Sequence, residues 1–462
     1  MKAPTAPEKQ SRLTAWLEQA PSAVFVFVAV AAAFTTYFSM YAFRKPFAAA
    51  TFDGQFFFGT QVALKTAIVI SQIIGYALSK YIGIKICSEV TRERRAVTLI
   101  GLVLWAQAAL MVYGWVPGDW KVAAIFFNGL PLGMIWGLVV WYLEGRRTSE
   151  LLLAGLSLSY IMASGVVKDF GRALMEGGVA SWWESVPLAG PLIASKIGKV
   201  SEGWMPAVAG FHFLPLLIAS VWMLNQLPRP NAADIEARTS RAPMLATDRM
   251  AFVKRFAPGL GMLCLGYFFL TAYRDFRDNY QVEIFDGLGY PYKENKTIIS
   301  RAETIVTFGV MGILALLNVV KDNRRGLLSA LGIMTGGVLL LGVSTAMLQA
   351  GLISGFWWMT LTGLGSYLAY VPFGSVLFER LIASTRAAGT AVFAIYLADA
   401  IGYTGSVGVQ LYKDLAAGTV SRLGFFTGFT WFMCGLGAVC LAGSTLYFAR
   451  CTRAVQTSPK SR

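Results

Sequence analysis

Pro21-Ser-Ala-Val-Phe-Val-Phe-Val-Ala-Val30-Ala-Ala-Ala-Phe-Thr-Thr-Tyr37-Phe-Ser-Met40 runs directly into Tyr41-Ala-Phe-Arg44-Lys45-Pro-Phe47-Ala-Ala-Ala50. The first part carries no charge and is as long as the roughly 20 residues a membrane-spanning helix needs. The second part places a guanidinium and an ammonium side by side near the far end of that run. Either charge costs about 2.5–3.5 kcal/mol at the bilayer centre on insertion scales, so neither is expected to face lipid. A charge pair held at such cost reads as a candidate site.

The rest of the chain repeats the apolar theme. Of 462 residues, 56% are hydrophobic and 14% charged, against about 25% charged in soluble domains. Long unbroken apolar runs indicate helices, because membrane β-barrels show short alternating segments. Twelve apolar segments are predicted, at 22–50, 59–83, 96–116, 122–143, 151–175, 205–227, 257–285, 297–320, 326–348, 354–378, 387–412 and 424–449. The fold class expected is an all-α membrane protein of twelve transmembrane helices in two six-helix pseudo-symmetric bundles. The first and seventh segments exceed one span, and both carry charges in their second halves.

The net charge of +15 would suggest a nucleic-acid partner in a soluble protein. Here it follows the positive-inside rule, and no nucleic-acid partner is expected. Arg92-Glu-Arg94-Arg95, Arg146-Arg147, Lys321-Asp-Asn-Arg324-Arg325, Arg380 and Arg386 sit in alternate short connections, and Pro228–Arg255 is polar and Arg-rich. The loop 177–204 is the exception on the other side, with Lys196 and Lys199. The expected domains are a cytoplasmic N-terminal segment 1–21, a six-helix bundle 22–227, a cytoplasmic linker 228–255, a second bundle 256–449 and a cytoplasmic tail 450–462. Both termini are then cytoplasmic, in a multi-pass inner-membrane protein. No small-residue cleavage site follows the first apolar run, so that run is expected to be a permanent helix.

The two halves share a register. Arg44 and Arg274 are 230 positions apart, as are Arg94-Arg95 and Arg324-Arg325, while Glu144 and Glu379 are 235 apart. Parallel repeats of six helices are the architecture of the major facilitator transporters.

The candidate buried cations of the apolar segments are Arg44, Lys45, Lys65, Lys168, Arg172, Arg274, Arg277 and Arg301. The candidate buried anions are Asp169, Asp275, Asp278, Glu303 and Asp399, and the cations outnumber them. Buried cations need partners, and the cationic surplus points to an anionic substrate. Lys168 and Arg172 share a helix face at i, i+4, as do Arg274 and Asp278, so Asp278 is expected to hold Arg274. Asp275, Arg277 and Asp278 read either as site residues or as a structural network. Lys65 and Arg301 lie close enough to segment ends to snorkel or pair. Asp399, in Tyr396-Leu-Ala-Asp399-Ala-Ile-Gly402-Tyr403, is either the partner of a distant cation or a titrating group. Tyr37, Tyr41, Tyr160, Tyr273, Tyr396 and Tyr403 are candidate cavity-lining residues.

Other chemistries find no support in the sequence. The five cysteines have no CxxC spacing and the chain has one histidine, His212, so no metal site is expected. There is no GxxxxGK[ST] phosphate loop and no nucleophile–base set, so neither an ATP-driven pump nor an enzyme is expected, and no cofactor. The chain shows no oligomer seam and is expected to be a monomer, with a small anionic substrate and the lipid bilayer as partners.

Tyr41-x-x-Arg44-Lys45-x-Phe47-Ala-x-Ala50 resembles the first-helix motif of the organophosphate:phosphate antiporters, the glycerol-3-phosphate and hexose-phosphate transporters of the major facilitator superfamily. The resemblance implies that an arginine of helix one and an arginine of helix seven bind the phosphate group, and Arg44 and Arg274 hold those places. Tyr280, six residues beyond Arg274, matches an aromatic of that family. Gly75-Tyr-Ala-Leu-Ser-Lys80-Tyr-Ile-Gly83 is similar to the superfamily's loop after helix two. Where the family carries a histidine in helix five, this chain reads Met162-Ala-Ser-Gly165-Val-Val-Lys168-Asp169, with Lys168 available one turn away.

The sequence thus leads to an anion transporter working by alternating access. Arg44, Lys45, Arg274, Lys168, Tyr41 and Tyr273 are the substrate-binding candidates, and Asp275, Asp278, Asp399 and Arg172 the supporting or coupling ones. Two alternatives remain: a proton-coupled organic-anion symporter, and a membrane sensor that binds an anion without transporting it.

Overall fold

A computed structural model describes residues 11–144, 146, 148–179, 198–230, 234, 246–291, 294–385 and 391–457. Arg147, Lys196, Arg386 and half of the linker 228–255 lie outside these residues, as do positions 1–10 and 458–462.

Every apolar segment carries a helix. In chain order these are α1 (Arg12–Gln19), α2 (Ser22–Tyr41), α3 (Leu64–Glu89), α4 (Arg92–Trp115), α5 (Lys121–Leu132), α6 (Ile135–Leu143), α7 (Ser149–Glu176) and α8 (Met205–Asn225). They continue with α9 (Ala246–Asn279), α10 (Gln281–Gly287), α11 (Ile298–Ala315), α12 (Asn323–Gln349), α13 (Gly355–Gly374), α14 (Leu377–Thr385), α15 (Ala391–Leu415) and α16 (Arg422–Thr457). Nine spans among the described residues are long and apolar enough to cross a membrane, and α13 with α14 forms a tenth bent by 47°. The two that complete twelve are α3 and α15, which carry Lys80 and Asp399.

The long predicted segments break where the backbone chemistry demands it. The first was expected to run unbroken over 22–50. Instead α2 ends at Tyr41, and Pro46–Ala49 forms a 3-10 turn. Pro46 has no N–H, and its ring would clash with the carbonyl four residues back, which favours a break in the α-helix here. The fourth segment breaks between α5 and α6 beside Pro131, and the tenth bends after Pro372. The seventh divides at Tyr280, between α9 and α10. The Gly75–Gly83 stretch, within the second predicted segment and similar to the superfamily's loop after helix two, lies inside α3. Its glycine side meets α5 at backbone contact, since a Cβ on Gly75 would sit 2.4 Å from the Phe126 carbonyl oxygen.

The helices pack around two apolar cores. One joins Leu17 through Leu227 with Tyr403, and the other joins Phe252 through Phe448. A small third cluster, Ile161 with Val306, Val310, Tyr367, Leu368 and Val371, ties α7 to α11 and α13 across the halves. α3 also packs on α15, so two helix pairs bridge the halves. The short α1 is capped by Ser11, whose hydroxyl accepts from Thr14 N at 3.1 Å, and docks on the end of α8 through Thr14 Oγ1 donating to Gln226 O.

Candidate functional site

The break after α2 exposes backbone groups that the helix no longer satisfies, and uncharged amides satisfy them. The Gln72 amide donates to Arg44 O at 2.9 Å, and the Asn128 amide donates to Phe43 O at 3.0 Å and Ala106 O at 3.1 Å. Gln72 also donates to Asn128 Oδ1 at 2.9 Å, closing the set. Buried backbone groups left unpaired would be costly, so α3 and α5 fix the turn that aims Arg44. All ten residues Tyr41–Ala50 are buried, so Arg44 and Lys45 do not snorkel to headgroups.

Arg44 projects into a central cavity of about 270 Å³ that also holds Arg274. The Arg44 guanidinium carbon lies 3.8 Å from the Tyr76 ring centroid and 5.7 Å from that of Tyr41. Among the described residues no carboxylate pairs with it, and its Nε has no hydrogen-bond partner. Arg274 comes from within α9. Its guanidinium lies 4.0 Å over the Tyr370 ring and donates to Asp275 Oδ1 at 2.6 Å. Asp275 accepts in turn from Ser406 of α15 at 2.8 Å. Each half therefore supplies one arginine, seated on a tyrosine face, and the second is oriented by a carboxylate behind it.

The expected pairing of Arg274 with Asp278 does not form. Asp278 pairs with Lys45 and, at 2.7 Å, with Lys168, and Ser164 also donates to it. Lys45 donates further to Asn279 Oδ1 at 2.9 Å, and Lys168 to Gln281. The reason is reach: the ammoniums of the opposite half converge on Asp278, while Arg274 has its neighbour Asp275. Lys45 and Lys168, expected to bind substrate, lie outside the cavity lining and serve this cluster instead. Tyr273 is likewise placed elsewhere, stacked on Phe426 with its hydroxyl 3.1 Å from Thr430. Arg172 is half-buried one turn beyond Lys168 and is not part of the lining.

The same end of the molecule is fastened at further points. Lys65 pairs with Glu283 and donates to Ala48 O at 3.0 Å. Thr66 Oγ1 lies 2.9 Å from the Tyr280 hydroxyl, and Asp414 accepts from Ala63 N at 3.0 Å while pairing with Arg422 at 2.9 Å. Ser300 N donates to Asp169 at 2.7 Å. Arg277 pairs with Glu303 at 2.7 Å within the second half. Arg301 rests 5.7 Å from the Phe356 ring.

Of the tyrosines expected in the cavity, Tyr37, Tyr41, Tyr160, Tyr396 and Tyr403 line it, joined by Tyr76, Tyr267 and Tyr370. Asp399 lines it too. Its partner is Lys80, 2.7 Å away on α3, and the Tyr267 hydroxyl donates to it at 2.8 Å. Lys80 was missing from the set of intramembrane cations although it lies in the second apolar segment; its place opposite a lone carboxylate was the available signal. Gln72 and Asn128 carry no charge and gave no such signal. Glu144 and Glu379, matched by the repeat, both face the cavity. Among the described residues no group of three or more His, Cys, Asp or Glu could hold a metal ion. His212 bonds to Val208 O at 2.8 Å and packs on Phe170.

A family model described as "Family of unknown function (DUF5690)" matches residues 46–451. The chain belongs to the DUF5690 family. A search of curated proteins returns no match for it. Solved structures similar to this DUF5690 chain include a D-xylose-proton symporter, 13% identical with a TM-score of 0.58, covering 91% of this chain and 96% of the other. A peptide transporter POT in complex with alafosfalin is 12% identical with a TM-score of 0.58, covering 95% and 98%. A bacterial homolog of the human lysosomal transporter Spinster, inward-facing and unoccupied, is 10% identical with a TM-score of 0.55, covering 97% and 100%. The DUF5690 chain therefore has the major facilitator fold.

Proposed function

We propose that this protein is a secondary active transporter of a small anion, phosphate or an organophosphate, working by alternating access. The observation that carries the reading is the pair Arg44 and Arg274, one from each half in one cavity, with Arg44 lacking a carboxylate partner among the described residues. Guanidinium forks suit tetrahedral oxyanions through paired charge-assisted bonds. An anion bridging the two arginines draws the halves together, whereas an empty cavity leaves two like charges facing. That asymmetry favours exchange of one anion for another over uniport.

The salt-bridge cluster around Asp278 closes one end of the halves, and the cavity continues toward Glu144 and Glu379. With the basic loops cytoplasmic, this is a state open to the cytoplasm. The protein is then a monomer of the inner membrane with both termini and the 228–255 linker cytoplasmic.

Thermal unfolding of the purified protein against inorganic phosphate, phosphate esters and carboxylates tests the reading, because a ligand of the native state raises apparent stability by mass action. A shift with phosphate or its esters that Arg274→Ala removes is expected. A shift with carboxylates alone rejects the phosphate assignment.

The Lys80–Asp399 pair in the cavity wall favours one second reading, proton-coupled symport of an organic anion. Uptake into proteoliposomes driven by a pH gradient, with no anion inside, is its distinguishing result.

A further inference from the structure

The central cavity does not end at its polar groups. It shares Glu144, Leu153, Val371, Ser375 and Glu379 with a second, larger cleft of about 1300 Å³. That cleft lies between the halves, along α2 and between α7 and α11; its walls are largely apolar, with Phe27, Leu158, Met162, Phe308 and Met311 facing it, and carry Glu144, Arg146, Asp234 and Glu379 as charged groups. Phe27 is 74% exposed, Phe308 56% and Met311 41%. A passage for a hydrated solute would leave these side chains against water, which apolar surface disfavours. Contiguous exposed apolar surface of this kind marks contact with a membrane or an apolar ligand.

The dimensions select the ligand. Along α2 the cleft runs from Ser22 to Phe34, about 18 Å at the helical rise. One leaflet of the bilayer core is about 15 Å deep. In length the cleft therefore matches hydrocarbon standing in one leaflet, and its volume has room for more than one chain. It joins the cavity of Arg44 and Arg274 along Val371, Ser375 and Glu379 and at Leu153 and Glu144, and Arg146 lines it beside Glu144. α7 and α11 close above it where a Cβ on Gly165 would meet Glu303 Cγ at 2.8 Å, so the chain's path leads sideways rather than across.

We infer that the cleft holds the hydrocarbon chain of an amphipathic organophosphate whose phosphate sits between Arg44 and Arg274. This rests on the anion reading above and narrows its substrate to a lipid-like phosphate ester. The charged head enters the cavity while the chain stays in apolar surroundings, so transport moves the head between leaflets without carrying the chain through water.

The test uses the full chain in phosphatidylcholine nanodiscs and a series of probes: inorganic phosphate, then methyl, butyl, octyl and dodecyl phosphate. Affinity is expected to rise with chain length, by up to about fourfold per methylene buried. Met311→Asp should lower the ratio of dodecyl to methyl phosphate affinity at least tenfold. Leu158→Trp, which fills the cleft without adding charge, should move the preferred chain to a shorter length and covers the case in which the first variant does not fold. Arg44→Ala should weaken every member of the series. Equal affinity for methyl and dodecyl phosphate overturns the chain inference and leaves the phosphate reading standing. A chain-length dependence unchanged in both cleft variants overturns it too, because the chain then lies elsewhere. Binding of no phosphate by the parent protein removes the phosphate reading and, with it, this inference.

Discussion

The Lys80 ammonium and the Asp399 carboxylate meet at 2.7 Å across the two halves, joining α3 to α15. Each charge makes its own helix a poorer membrane span, and together they make a contact. The pair is mostly buried, with side chains 16% and 13% exposed, so its weight lies between exposed and buried pairs. Asp399→Asn or Lys80→Met alone should destabilise the protein by about 2 kcal/mol. The double variant should lose less than the sum of the two. Denaturant unfolding of the four proteins as a double-mutant cycle measures the coupling, and simple additivity would deny the pair a structural role.

Arg44→Lys keeps the charge but gives up the planar fork, and Lys cannot lie flat on Tyr76 as a guanidinium does. Losing charge-assisted contacts worth about 1.5–3 kcal/mol predicts roughly 10- to 100-fold weaker phosphate binding in Arg44→Lys. Arg44→Ala should be weaker still. Asp275→Asn should fall between parent and Arg274→Ala, because it frees Arg274 to turn without removing it. Exchange of radiolabelled phosphate in proteoliposomes reads all four. Parent-like rates in Arg44→Lys and Arg44→Ala would end the two-arginine account.

Much of this was legible in the chain. Length and apolarity fix the twelve spans, and the insertion cost of Arg44 marks it before any coordinates do. The repeat register gives Arg274 as its counterpart, and the two share a cavity. What failed was the choice of partners for several buried charges. The i, i+4 spacing suggested Arg274 with Asp278, but Asp278 meets Lys168, 110 residues away, and Lys45. Helix spacing reports which groups could meet on one surface, whereas burial between two halves decides which do. Gln72 and Asn128 escaped notice for a different reason. Their task is to satisfy carbonyls freed by a helix break, and the break itself was overlooked although Pro46 announces it.

Asp278 is the pivot of the closed end. Asp278→Asn leaves the Lys45 and Lys168 ammoniums facing each other with neutral partners only, among them Asn279 and Gln281. Removing one member of a buried charge cluster costs about 3–5 kcal/mol, and here much of that cost is relieved if the halves part. Spin labels at Thr51→Cys and Glu294→Cys, in a background with the five native cysteines replaced, should report a longer distance population in Asp278→Asn than in the parent. Adding Lys168→Met should return part of the short population. Identical distance distributions in all three proteins would show that the cluster does not hold this end shut.

The placement of Arg44 depends finally on how closely α3 and α5 approach. A Cβ on Gly129 would lie 2.5 Å from Gln72 O and 3.1 Å from Tyr76 N, and one on Gly133 2.5 Å from Tyr76 O. Gln72 and Tyr76 are the residues that bond the Arg44 carbonyl and support its guanidinium. Backbone cannot yield as a flexible side chain can, so Gly129→Ala must push α3 outward and carry both residues with it. A loss of about 1–3 kcal/mol in stability is expected from the overpacking, together with a loss of phosphate-induced thermal shift. Gly332→Ala is the control: its Cβ meets nothing within 4 Å, and alanine is the better helix former by about 0.8–1 kcal/mol. It should leave stability equal or slightly higher and the phosphate shift intact. If Gly129→Ala instead behaves like Gly332→Ala in both measurements, the close contact of α3 with α5 does not position the arginine.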